Sequence, residues 1–199
     1  ATLIDTILNV PAAKALASQV GYSETRVKDG QKLVNDAKAL VELKNVAHGR
    51  ALSMTQAYQE LKDELHREYM QQLTVVKHEL SDDIGLLNML KAHGRRATRF
   101  NVWASDLEAF YDNAIGHEPI KTKLAGSVIT DKQLRESQKK LRDLIALNMD
   151  KKQQRSEVKK ITQEKNEAMR RAKDWTMQFQ KVLRSSYLRD KAKRAILGI

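Results

Sequence analysis

Residues 131–197 read DKQLRESQKKLRDLIALNMDKKQQRSEVKKITQEKNEAMRRAKDWTMQFQKVLRSSYLRDKAKRAIL and contain neither glycine nor proline. Such a run offers no turn residue, and its Leu, Lys, Gln, Arg and Ala content favours helix. Thr130 before it supplies an N-cap hydroxyl, and Asp131 places an acid in the first turn, where the helix dipole favours negative charge. The same signature occurs earlier, where Ser23 precedes Glu24. The two starts are 107 residues apart, and the similarity continues beyond them. Val27, Gln31, Val34, Ala37 and Leu40 meet Leu134, Gln138, Leu141, Leu144 and Leu147. Further along, Met70 meets Met177, Val76 meets Leu183, Asp83 meets Asp190, and Leu90 meets Leu197. Upstream, PAAKALA at 11–17 and PIKTKLA at 119–125 share proline, leucine and alanine in frame, at an offset one residue longer. A repeat of this size predicts a pseudo-symmetric scaffold.

The first copy opens on an apolar helix over residues 2–9. Pro11 interrupts it, because proline restricts the residue before it and donates no backbone hydrogen bond. Pro11 suits the first turn of a second short helix reaching Val20, and Gly21 ends it. In the long segment that follows, Val27, Val34, Ala37, Val41, Met54, Tyr58, Leu61, Leu65, Tyr69, Leu73, Val76 and Leu80 recur at three- and four-residue steps. Periodicity fades at 44–53 in the first copy and at 151–156 in the second. A hairpin tip there, with arms of about 25 residues folding back on each other, is the favoured reading. Its rival is one continuous helix on the order of 100 Å long, which would need a partner along its length. Between the copies, Gly94 and Gly116 bracket a helix over 96–115 whose Phe100, Trp103, Leu107, Phe110 and Ala114 share a face. At helical spacing these read as core filling a junction. The expected architecture is all-α, an elongated antiparallel helical bundle built from two homologous helical-hairpin units. The units span 1–94 and 117–199, with a connecting helix over 95–116.

Composition removes several classes of function. The absence of cysteine excludes disulfides, thiolate zinc sites and thiol catalysis. No apolar run approaches the ~18–20 residues that cross a bilayer, so no membrane is expected. The start of the chain has no basic leader, which reads as cytoplasmic. A di-metal bundle needs Glu-x-x-His pairs, and none of His48, His66, His78, His93 and His117 has a glutamate three residues before it. Asp63 and His66 come nearest, without a counterpart in the other copy, and His66 with Met70 reads as surface and core edge. No phosphate loop, H-E-x-x-H or G-x-S-x-G occurs. The expectation is therefore no enzyme, no metal and no cofactor.

Charge distinguishes the copies. The net charge is +11, yet residues 1–100 hold 14 Lys/Arg against 12 Asp/Glu and residues 101–199 hold 22 against 13. Lys159, Lys160, Arg170, Arg171, Lys193 and Arg194 are the candidate contacts for nucleic acid or another polyanion, since clustered cations bind phosphate by releasing counterions. Pairing of Glu167 with Arg171 and of Arg170 with Asp174 would turn part of this row into a solvated helix face. Trp175 and Phe179 lie on the apolar stripe, as core residues do. Ala195, Ile196, Leu197 and Ile199 are candidate interface residues, or else cap the bundle's own core.

Gly21-Tyr22-Ser23-Glu24, followed far downstream by Trp175 to Phe179, Asp190 and Leu197-Gly198, resembles the unit starts and endings of bacterial tandem-duplicated helical-bundle proteins without assigned activity. Val128-Ile129-Thr130 departs from that pattern by lacking the Gly-Tyr pair. The resemblance implies architecture and bacterial origin only. The leading expectation is a non-catalytic structural or interaction protein that self-associates as a homo-oligomer. The alternative is polyanion binding by the basic second unit.

Overall fold

The computed structural model describes residues 3–199. Among them are eight helices and no strand: α1 (Leu3–Asn9), α2 (Pro11–Gln19), α3 (Glu24–Glu79), α4 (Ile84–Met89), α5 (Phe100–Gly116), α6 (Glu118–Leu124), α7 (Asp131–Ser186) and α8 (Lys191–Leu197). The fold is all-α.

Local chemistry sets the boundaries. Val10 is extended ahead of Pro11, which takes a first-turn position of α2. At the other end Gly21 adopts φ +84°. This lets the Tyr22 N–H reach the Ala17 carbonyl at 3.0 Å and close a Schellman-type cap. Ser23 Oγ accepts the Arg26 N–H at 3.3 Å. Thr130 forms a reciprocal capping box, its Oγ1 accepting the Gln133 N–H at 3.2 Å and its own N–H donating to Gln133 Oε1 at 2.9 Å. Asp83 and Asp190 cap α4 and α8 alike, accepting the N–H of Leu86 and of Lys193, each at 3.0 Å.

The two long helices contain 56 residues each, and both their first and last residues are separated by 107 positions, the offset at which the sequence aligns with itself. Neither folds back, which corrects the hairpin expectation. α3 runs unbroken through 44–53 and α7 through 151–156. Apolar periodicity fades there because the segment buries little, with Ala47 and Ile161 the buried apolar residues nearby. Helix propensity nevertheless stays high, and the lone Gly49 costs only about 1 kcal/mol.

Two compact units result, Ala1–Gly49 with Ser156–Ile199, and Arg50–Arg155. Each draws on both halves of the chain. The first comprises α1, α2, the start of α3, the end of α7 and α8. The second comprises the end of α3, α4, α5, α6 and the start of α7. Within each, α3 and α7 pack antiparallel. In the first unit Trp175 of α7 lies against Gly30 of α3, and in the second Lys151 Nζ sits 3.2 Å from the centroid of the Tyr58 ring.

The first unit's larger core gathers Ile7, Tyr22, Val27, Phe179, Leu183, Tyr187 and Leu197. Tyr187 Oη donates to the Leu16 carbonyl at 2.7 Å. A second, minimal cluster consists of Ala37, Ala168 and Ala172, with Leu33, Val34 and Leu40 partly buried around it. In the second unit Tyr69, Phe110, Tyr111, Leu107, Leu141 and Leu144 build the core. Trp103, Leu107, Phe110 and Ala114 of α5 are buried as their spacing predicts, and Phe100 is partly buried. The helix starts four residues later than expected. Arg96 instead stays in the preceding loop, where its guanidinium donates to the carbonyls of Lys91, His93 and Gly94 and to Tyr69 Oη.

Candidate functional site

The residues proposed from sequence fall in the first compact unit. Lys159, Lys160, Arg170 and Arg171 are exposed along α7. No ion pair joins Glu167 to Arg171 or Arg170 to Asp174, so the expected pairing along the helix is not made. Lys193 is engaged, 3.1 Å from Asp190, and Arg194 is half-buried. That unit holds 18 Lys/Arg against 10 Asp/Glu, while the other holds 18 against 15. The basic excess thus lies with the end of α7. Of the candidate interface residues, Ala195 and Ile196 are exposed. Leu197 is fully buried in its own unit's core and Ile199 packs beside it, so these two cap the core. His66 is exposed and Met70 is 39% exposed, as expected of surface and core-edge positions. Among the described residues no group of three or more His, Asp or Glu side chains could hold a metal, and no helix is long and apolar enough to cross a membrane.

The second unit holds a polar constellation that sequence reasoning missed. It is built where the end of α3 meets the start of α7. Glu64, Glu68 and Gln72 recur at helical spacing on α3, and Ser137 and Lys140 face them from α7. Lys140 Nζ donates to Glu64 Oε1 at 2.6 Å and also to Glu68. Ser137 Oγ donates to Glu68 Oε2 at 3.0 Å, and Gln72 Nε2 donates to Ser137 Oγ at 3.0 Å. Ser137 and Gln72 are 2% and 8% exposed, so the chain of bonds runs inward from the half-exposed Glu64–Lys140 pair.

Electrostatics follow from this arrangement. The hydrogen bond from Lys140 holds Glu64 below the usual carboxylate range, and Glu64 with Glu68 raises Lys140. Burial pushes the Tyr111 hydroxyl well up, with Ser137, Glu68 and Tyr69 as its polar neighbours. Tyr111 and Tyr69, whose hydroxyl is likewise raised by burial, are therefore neutral at any physiological pH.

One proton inventory fixes the orientation of Gln72. A carboxylate can only accept, so the single hydroxyl proton of Ser137 goes to Glu68. Ser137 must then accept from Gln72, whose amide presents N–H to the serine and turns its Oε1 away. Among the described residues that oxygen is buried without a partner. A cavity of about 420 Å³ lies beside this network, with Gln71 and Gln133 as well as Glu68, Gln72, Glu136, Ser137 and Lys140 as polar lining and Val75, Val128 and Ile129 as apolar wall.

A signal for these residues exists at the 107-residue offset. At positions 107 residues away from Ser137, Glu68 and Gln72 stand Gly30, Trp175 and Phe179. There the first unit is filled, with the Trp175 ring pressed on Gly30 and tilted at 39° to the Phe179 ring, 4.8 Å between centroids. Three apolar or small positions are exchanged for three polar ones within an otherwise retained apolar frame. No family model, curated protein or solved structure matches the chain.

Proposed function

We propose that the protein is a non-catalytic structural or interaction protein that self-associates through helical surfaces. The observation that carries this reading is the alanine cluster of the first unit. Where Ala37 meets Ala168 and Ala172, α3 and α7 meet over small side chains, and the larger apolar residues packed around them, Leu33, Val34 and Leu40, are only partly buried. Leu43 and Val46, one turn apart, are 50% and 53% exposed. Helices bury their apolar stripe against another layer, and two helices alone provide little of one. A second copy of the chain brings an equivalent stripe at no cost in specificity, and repeated surfaces of this kind favour symmetric pairing. The matching 107-residue spacing of helix starts, helix ends and aspartate N-caps supports an internal duplication as the origin of the scaffold.

The test is sedimentation velocity on the full chain and on the Leu43→Lys/Val46→Lys variant. The variant is expected to keep its helical signal and to weaken association by at least about tenfold, because two charges would be buried without partners. Equal association by both chains would remove the reading.

A second reading, polyanion binding, is supported by the exposed Lys159, Lys160, Arg170 and Arg171, which make no ion pair among the described residues. It predicts binding to a single-stranded RNA probe that weakens steeply with salt and collapses when the four residues are made neutral. No binding at low salt would sink it.

A further inference from the structure

The end of α7 and the turn behind it carry positive charge and exposed hydrocarbon together. Residues 178–199 hold six Lys/Arg against a single acid, Asp190, whereas the matching residues 71–92 hold two against three. Arg189 stands where the second unit has Asp82, and Leu188 where it has Ser81. The apolar frame is retained at this offset, with Leu183 and Leu197 buried as Val76 and Leu90 are. The difference lies on the surface.

Met177, Lys181 and Arg184 follow at four- and three-residue steps and share a face of α7. Leu188 lies beyond the helix in the turn, and with Gln180 and Ser185 these side chains line an open groove of about 440 Å³. Among the described residues no carboxylate lines it. Ser185 has turned its hydroxyl to the carbonyls of Lys181 and Val182, so the donors left are the Lys181 ammonium, the Arg184 guanidinium and the Gln180 amide. Lys181 and Arg184 are exposed and make no ion pair among the described residues. Of the acids near this face, Asp190 is spent as the cap of α8 and on Lys193 at 3.1 Å, and Asp174 lies one turn ahead of Met177. Between these cations Met177 and Leu188 are 51% and 67% exposed.

The partner must answer both the charge and the hydrocarbon. Nucleic acid would meet the cations and leave Met177 and Leu188 in water. The acidic turn of a second copy is already engaged, since Lys123 holds Asp82 at 3.1 Å and Asp83 at 3.7 Å. An anionic lipid surface answers both, because its headgroups attract Lys and Arg while apolar side chains enter the acyl boundary beneath. Contact of this kind requires no spanning helix.

We propose that the groove face at Met177, Lys181, Arg184 and Leu188 docks on the surface of an anionic bilayer. Leu188 and Met177 enter the boundary between headgroups and acyl chains, and the two cations stay at headgroup level. This contact uses neither Leu43 and Val46 nor the row from Lys159 to Arg171.

The test is co-sedimentation of the full chain with phosphatidylcholine vesicles and with vesicles carrying about a third phosphatidylserine, beside a single-stranded RNA probe. Binding to the anionic vesicles is expected to be at least about tenfold tighter than to the neutral ones, and to weaken with salt. Lys181→Gln/Arg184→Gln should weaken it by about tenfold or more, and Leu188→Ser by about fivefold or more. Helical content should be unchanged, because all three positions are exposed. RNA binding should not respond to Leu188→Ser, which separates a lipid surface from a general polyanion site. Absence of binding to anionic vesicles, equal binding to neutral ones, undiminished binding by Leu188→Ser, or an equal loss of RNA and vesicle binding in that variant would overturn the proposal. If Leu188→Ser instead lowers the mass in solution while vesicle binding stands, a second copy covers this surface and the proposal falls.

Discussion

Gly30→Ala sets two effects of opposite sign against each other within one helix turn. Helix propensity alone rewards the change by about 1 kcal/mol, since glycine is the poorest helix former after proline. The added Cβ, however, would lie 2.1 Å from Cζ2, 2.2 Å from Cη2 and 2.4 Å from Cε2 of Trp175. Carbon atoms at rest sit about 3.5–4.0 Å apart, so the indole would have to move by roughly 1.5 Å. It has little freedom to do so, being packed tilted against Phe179 at 4.8 Å and edge-on to Tyr22 at 6.1 Å. Overpacking of this kind costs about 1–3 kcal/mol, and three clashing ring atoms place it at the upper end. The net expectation is a loss of about 2 kcal/mol, or a fall of about 4–8 °C in Tm for a chain of this length. Urea unfolding followed by circular dichroism measures it, with Trp175→Ala and the double variant completing a cycle. The alanine should be destabilising beside tryptophan and stabilising beside alanine. If Gly30→Ala stabilises the wild-type chain by about 1 kcal/mol, the close packing of Trp175 on Gly30 is refuted.

Lys91 adopts φ +50° at the end of α4, while the matching position after α8 is Gly198 at φ +70°. Lys91→Gly should therefore stabilise by about 0.5–1 kcal/mol, the relief of left-handed strain exceeding glycine's entropy cost, as thermal unfolding would read. Tyr187→Phe removes the 2.7 Å bond to the Leu16 carbonyl and should cost about 1 kcal/mol or somewhat more. Glu24 is held at about 2 instead of its ordinary 4.5 by hydrogen bonds from Lys14 and Lys28. Because its folded value is depressed, the stabilisation is complete above the ordinary value and disappears as pH falls through about 2. The gap in Tm between wild type and Glu24→Gln should be constant near neutrality and close as the pH is lowered from 4.5 towards 2.

How much of the fold can be read from sequence depends on the physical range of each signal. Caps and breakers act locally, so Pro11, Gly21, Ser23 and Thr130 mark helix ends correctly. The α5 face is equally legible, because Trp103, Leu107, Phe110 and Ala114 repeat at helical spacing. The continuity of α3 and α7 is hidden in the sequence because a fading apolar stripe looks like a turn. At 151–156 the residues are good helix formers without a turn residue among them, and the stripe fades because little is buried there. Arg96 was assigned to a helix since its role, binding the carbonyls of Lys91, His93 and Gly94, depends on loop geometry. The polar cavity illustrates a different limit. Glu64, Glu68 and Gln72 look like one solvated helix face until Ser137 and Lys140 are brought opposite, and only comparison with Trp175, Phe179 and Gly30 singles them out. Leu197 reads equally as an interface residue or a core cap in sequence and is core in the structure.

The claim that self-association is what this scaffold does is tested most directly by the mass of the full chain in solution. Light scattering across a wide range of concentrations, at low and high salt, should return values above the 22.7 kDa of one chain, rising with concentration and persisting when salt screens charge. A mass of 22.7 kDa at every concentration would contradict it.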